Sequence, residues 1–186
     1  MANRNTQGFG LIPAGTLGQT PATSGTGKYK IDAGYATTIY QGGAVASSAG
    51  YIIDGQTAAA PILGVLNGIF YNAATTLKPT FSNHYVQVTP ANSEDIDAFV
   101  FDNPQQQYVV ATDAAVAQSG YLETYDFNSS AGSTTTGKSS ATLNIGVTGN
   151  DDKSFRLLRT AEDPENDENG EFRSVVVVAN LIELQS

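Results

Sequence analysis

The sequence predicts an all-β protein: a compact β-sandwich or β-barrel body of short antiparallel strands, with an extended N-terminal arm and at most one or two short helices. Three observations carry this reading. Short runs of β-branched and aromatic residues recur along the 186-residue chain, and many alternate apolar with polar side chains. Turn formers separate these runs at close intervals, with 19 glycines and 7 prolines in all. Strong helix formers never gather into a sustained amphipathic stretch.

Residues 1–28 come first. Gly8, Gly10, Pro13, Gly15, Gly18, Pro21, Gly25 and Gly27 punctuate them at a density that prevents a helix and interrupts a strand ladder. Yet the segment carries Phe9, Leu11, Ile12 and Leu17, which a pure linker would not need. It reads as an arm whose four apolar side chains dock on a partner surface.

Residues 29–186 read as a single β-rich domain. Residues 29–32 alternate as a half-buried strand does, and 37–40 are rich in β formers. A turn at Gln41-Gly42-Gly43 leads to a return over 44–46. The stretch 51–53 precedes the turn dipeptide Asp54-Gly55. Residues 61–71 are strongly apolar, and Asn67-Gly68 either divides them into two strands or marks a bulge. His84, Val86 and Val88 share one face of a short strand. The runs 97–102 and 107–111 flank Asn103-Pro104 and predict a hairpin whose turn Pro104 initiates.

Further strands are expected at 121–125, 142–148, 154–160 and 173–184. A Ser/Thr/Gly-rich loop at 128–140 and an acidic hairpin loop at 161–172 lie among them. Val175, Val176, Val177 and Val178 form a continuous β-branched run, which predicts a strand covered on both faces, in the core or at an oligomer contact. If a short helix exists, 111–117 suits it better than 92–97.

Charge excludes several partners. The formal net charge is −9, with 18 acidic and 9 basic residues, so the clustered cations that nucleic acid requires are missing. The same balance is unfavourable for an anionic membrane. Residues 93–126 hold seven acidic residues and no basic one, whereas residues 1–60 hold three basic and two acidic. No segment approaches the roughly 20 apolar residues of a membrane span. Residues 1–5 are not followed by the apolar stretch of a secretory signal, so the chain is expected to stay where it is made unless it leaves within a particle.

Motifs of chemistry are few, and the sequence predicts a non-enzymatic protein with no cofactor. Cysteine is absent and His84 is the single histidine, so thiolate chemistry is ruled out and a Ser–His–Asp triad would have to use that residue. Residues 132–139, GSTTTGKS, match the phosphate-loop pattern. A working phosphate loop needs a buried strand before its first glycine and a helix after its last residue. Here a polar stretch precedes and an alternating, strand-like stretch follows, so a chance match is expected. The run 163–170 invites a Ca²⁺ hypothesis but lacks the spacing of a calcium loop, and a solvated hairpin loop is expected instead.

The opening MANRNTQGFGLIPAG, KYKID at 28–32, IYQGGAV at 39–45, ILGVL at 62–66, DAFVFDNP at 97–104 and SVVVVANLIEL at 174–184 are spread along most of the chain's length. In these stretches it resembles capsid-associated proteins of marine tailed bacteriophages. The resemblance implies a head decoration, or cement, protein that binds the outer surface of the phage head and bridges major capsid subunits. It implies the major capsid protein of the same virus as partner, synthesis in the host cytoplasm and residence on the virion. A homo-oligomer, a dimer or trimer at a symmetry axis, is expected. The alternative reading is a head-fibre or tail-associated module that binds a receptor or glycan through Tyr-rich strands and Ser/Thr/Gly loops.

Overall fold

The computed structural model describes residues 5–19, 25–55, 61–128, 132–148, 153–164, 166–167 and 170–185. These form two large sheets and a small hairpin. The strands are β1 (Ile12–Thr16), β2 (Gly27–Ile31), β3 (Ala44–Ser48), β4 (Tyr51–Asp54), β5 (Gly64–Asn72), β6 (Pro79–Ser82) and β7 (Ile96–Phe101). They continue with β8 (Gln106–Ala111), β9 (Thr124–Asn128), β10 (Gly132–Ser133), β11 (Lys138–Ser139), β12 (Thr142–Thr148), β13 (Phe155–Thr160) and β14 (Ser174–Ala179). One sheet has the order β1-β8-β14-β13-β9-β12, the other β2-β7-β5-β3-β4 with β6 added on β5, and β10 pairs with β11. The sheets are antiparallel, and the all-β, sandwich-like class is as the sequence predicts.

Two apolar cores hold the sheets. The first gathers Tyr108, Val110, Tyr125, Phe127, Leu143, Phe155, Leu157, Val175 and Val177 of the first sheet with Ala44 and Val65 of the second. The second lies on the other side of the second sheet, where Ile31, Ile52, Leu66, Ile69, Ile96 and Val100 meet Ile39 and Tyr85. Ile39 and Tyr85 bridge one another through their backbones, Ile39 N donating at 3.0 Å and Tyr85 N at 2.8 Å, which closes a loop layer over that core.

The run 97–102 and 107–111 shows what alternation leaves open. Both strands exist and Asn103-Pro104 does turn, with Gln106 N donating to Asn103 O at 3.0 Å and Gln105 N to Asn103 Oδ1 at 2.9 Å. They do not form the expected hairpin. β7 pairs with β2 and β5, and β8 with β1 and β14, so the turn is a corner between sheets. Each strand buries its inward face in a different core, and Tyr108 ties the corner by donating from its hydroxyl to Phe101 O at 3.1 Å.

Other expectations are corrected. No helix forms at 111–117; Ala111 ends β8, Thr112 bridges Leu143, and the nearest 3-10 turns are Ala91–Ser93 and Gln118–Gly120. Residues 37–40 contribute only the bridge at Ile39. The strand expected at 121–125 is Thr124–Asn128, because Tyr121 and Leu122 turn into it. His84, Val86 and Val88 are not one strand face: β6 ends at Ser82, and Tyr85 is the residue that points into the core. The hairpin of β3 and β4 turns at Ala49-Gly50, both at positive φ (51° and 85°), and not at Asp54-Gly55. At Asn67-Gly68 the bulge is realised, since the β5–β7 register shifts between Leu66 and Gly68.

The separate arm over residues 1–28 is also corrected. Ile12–Thr16 is the edge strand of the first sheet, and Gly27–Ile31 crosses the expected boundary as one strand. Gly8 and Gly10 are where they are for contact as much as for freedom. A Cβ on Gly8 would lie 2.1 Å from Ser140 O, and one on Gly10, at φ +74°, 2.8 Å from Gly42 O. Gly15 and Gly18 have no neighbour within 4 Å of such an atom.

Candidate docking surface

The N-terminal segment brings the first group of candidate residues together. Gly10 N donates to Ala141 O at 3.1 Å, Leu11 N to Gly42 O at 2.8 Å and Leu17 N to Gln105 O at 2.9 Å, while Gln106 Nε2 donates to Gly15 O at 2.7 Å. These bonds fix the directions of the four apolar side chains. Leu11 points inward and is 2% exposed within the first core. It is satisfied inside its own chain, which corrects its assignment as a contact for a partner. Ile12 and Leu17 point outward, at 50% and 37% exposure, and Phe9 is half-buried. Beside them lies a groove of about 290 Å³, lined by Phe9, Ile12, Pro13, Asn67, Phe101 and Lys138 among others.

The valine run is a core strand. β14 sits between β8 and β13, and all four valines are buried. Val175 and Val177 enter the first core. Val176 and Val178 face the other side, where their register neighbours include Val109, Gln107, Arg156 and Arg159.

The phosphate-loop match folds as the β10–β11 hairpin. Gly137 N donates to Ser133 O at 2.6 Å, Gly137 stands at φ +71°, and strand β12 follows where a helix would be needed. Residues 129–131, which precede it, lie outside the described residues. The stretch 128–140 is thus more than an exposed loop: Ser139 is 2% exposed, and Gln41 bridges Lys138 in parallel. His84 stacks on Tyr40 with planes 9° apart, its Nδ1 is 2.9 Å from Asn83 Oδ1, and Asn83 Nδ2 donates to Thr136 O at 2.8 Å. His84 and Asn83 therefore pack against the hairpin tip.

The acidic loop does join β13 to β14. Its described part is organised by an amide: Asn166 Nδ2 donates to Ala161 O at 3.2 Å and Ser174 O at 2.8 Å, and its Oδ1 accepts from Ser174 N at 2.9 Å. Glu165, Glu168 and Asn169, part of the Ca²⁺ question, lie outside the described residues. Among the described residues no three His, Cys, Asp or Glu side chains gather as a metal would require.

A second group of residues escaped the sequence reading. On the face of the second sheet away from its own core, register aligns Phe81, Phe70, Asp97 and Lys30 in one cross-strand row. The next row holds Gly68, Phe99 and Lys28. Phe81 is 63% exposed, and its ring centroid is 6.3 Å from that of Phe99. A Cβ on Gly68 would lie 2.8 Å from Phe81 Cζ, so glycine lets the ring lie across the sheet. Asp97 forms ion pairs with both lysines, its Oδ2 2.7 Å from Lys28 Nζ and its Oδ1 2.6 Å from Lys30 Nζ. Burial alone would raise its carboxyl, but the two ammonium groups outweigh that and hold it below the usual carboxylate range. On the neighbouring strand Tyr29 donates to Asp102 Oδ2 at 2.7 Å; burial and that carboxylate push its phenol up to about 12. The available signal was the alternation Asp97, Phe99, Phe101, which marks a second face but not whether anything covers it.

Comparison with protein-family models, curated proteins and solved structures returned no match.

Proposed function

We propose that this chain is a structural component of a virus particle, a decoration protein that binds the outer surface of a phage head and joins neighbouring major capsid subunits. The observation that carries the reading is the edge at β1. One side of β1 pairs with β8 and the other has no partner strand among the described residues, while Ile12 and Leu17 stand exposed beside it. An open strand edge with apolar side chains suits addition of a strand from a neighbouring protein, where main-chain bonds give affinity and pockets give specificity. The bulge between Pro13 and Gly15 interrupts that edge and limits indiscriminate pairing between copies. Many copies on one shell add avidity without new kinds of contact, and a dimer or trimer at a symmetry axis belongs to the same proposal. The sequence resemblance to phage capsid-associated proteins supports the same reading, and the acidic composition suits an outward-facing, soluble body.

The test is addition of the purified protein to phage heads that lack it, followed by imaging of the particles. Copies distributed uniformly over the head, at seams between capsid subunits, are expected, with occupancy reduced by Ile12→Asp combined with Leu17→Asp. Copies confined to the tail would favour the receptor- or glycan-binding alternative, and no binding at all would remove the proposal.

A further inference from the structure

The groove beside β1 and the aromatic face of the second sheet are one continuous strip. Phe101 lines the groove, and Phe99, two residues earlier in β7, points to the same side. The first sheet's core reaches Phe101, which packs against it, and neither Phe99 nor Phe81 belongs to that core. From there Phe99, Phe70 and Phe81 continue the apolar surface across three strands. Exposed single apolar residues are ordinary, but a contiguous aromatic set on a flat strand face calls for a partner.

Charge says what kind of partner. The chain has only 9 basic residues against 18 acidic, yet Lys28, Lys30 and Lys138 all border this strip. Lys138 has no carboxylate partner among the described residues. Lys28 and Lys30 share the single carboxylate of Asp97. Glu94 and Asp95 act on Lys30, at the end away from the groove. Asp102, near the groove end, accepts from the Tyr29 hydroxyl and keeps its negative charge. Lys28, Lys30 and Lys138 against Asp97 and Asp102 leave a small cation excess that flanks the aromatic surface, with Lys138 at the groove and Lys28 on the β2 side.

We propose that the strip from Lys138 and Phe101 through Phe99 to Phe81 docks an extended segment of a partner protein in which apolar side chains alternate with carboxylates. Alternate residues of an extended segment point to opposite sides, so its apolar set fills the groove and covers the phenylalanines. Its carboxylates point away from the phenylalanines, where the long lysine side chains at the margins reach up to meet them. This deepens the decoration reading, under which the segment belongs to the shell subunit.

The experiment uses the full chain and two probe peptides, Ac-Leu-Asp-Val-Asp-Leu-amide and its twin with lysine in place of aspartate, followed by amide NMR. The aspartate peptide is expected to shift residues 28, 68, 81, 99 and 138 saturably, and the lysine peptide to leave them unmoved. Lys28→Gln with Lys138→Gln, and separately Phe81→Ser, should each weaken binding by about tenfold or more. Leu122→Ser, at another exposed leucine, serves as the control and should change nothing. Equal binding of the lysine twin, or shifts confined to other surfaces, would overturn the proposal. Sedimentation guards against a different occupant: a dimer of the wild type that Phe81→Ser dissociates would assign the strip to a second copy and also overturn it. Addition of the same variants to phage heads keeps the two readings apart. If the wild type does not decorate heads, the decoration reading fails, while the peptide titration still decides the strip.

Discussion

Lys153 Nζ lies 3.1 Å from Asp126 Oδ2, and the two side chains are only 15% and 8% exposed. The pair joins the start of the last hairpin to β9. A buried pair of this kind adds little over a well-packed apolar one, but removal of one partner strands a charge. Asp126 Oδ1 is buried with no hydrogen-bond partner among the described residues, so Lys153 is the main compensation for that carboxylate. Lys153→Met alone is expected to cost roughly 3–5 kcal/mol. Lys153→Met with Asp126→Leu should recover most of it. Urea unfolding of the two variants decides this, and equal losses would show that the pair is not coupled.

The N-terminal segment belongs to the folding unit. Leu11→Ala should cost about 2–5 kcal/mol through the cavity it leaves in the first core. Ile12→Ala, at an exposed position, should stay within about 0.5 kcal/mol. Gly10→Ala should destabilise as well, because it meets both a positive φ and the Gly42 carbonyl. Deletion of residues 1–28 is then a poor probe of shell binding, since it removes β1 and the start of β2. Denaturant midpoints of the point variants check this; a Leu11→Ala protein as stable as the wild type would restore the independent arm.

Acid should weaken the aromatic face through Asp97. Its folded pKa lies below its unfolded value, so its contribution is present above the unfolded pKa, about 3.9, and is lost as pH falls through the folded one. Lys28→Gln with Lys30→Gln removes the cause. The difference in urea midpoint between wild type and double variant should be present at pH 6 and shrink towards pH 2. A difference constant over that range would rule out the linkage.

Alkali acts in the opposite sense at Tyr29. Its phenol is raised to about 12, so its contribution is complete below the unfolded value near 10 and is lost as pH rises through 12. Tyr29→Phe should unfold with a shallower loss of stability between about pH 10 and 12 than the wild type. Other tyrosines are also raised by burial, so the difference between the two proteins, and not the absolute slope, is the readout.

The valine strand should behave as core. Val177→Ala is expected to cost about 2 kcal/mol, from two lost methyl groups and the cavity they leave. Sedimentation of the same variant should match the wild type. Dissociation of an oligomer without loss of monomer stability would move β14 to an interface.

Local sequence pattern is enough to show that this chain is built of strands and turns, and where most of them fall. The runs at 97–102 and 107–111, the valine run and the interruption at Asn67-Gly68 are local signals, readable because side-chain direction along a strand repeats every two residues; that the interruption is a bulge came from the pairing. Sequence pattern also marked the apolar residues near the N-terminus as meant for contact. Pairing was decided only in three dimensions. The Asn103 turn is a corner because β7 and β8 each find better-matched neighbours far away in sequence. The glycines at 8 and 10 look like flexibility until Ser140 and Gly42 are placed beside them. Leu11 and Ile12, adjacent and chemically alike, differ because β1 docks with one side of its backbone against the core. The strip formed by Phe99, Phe81 and Lys138 was illegible for the same reason: its members come from three separate regions of the chain, and only the non-local fold brings them to one face.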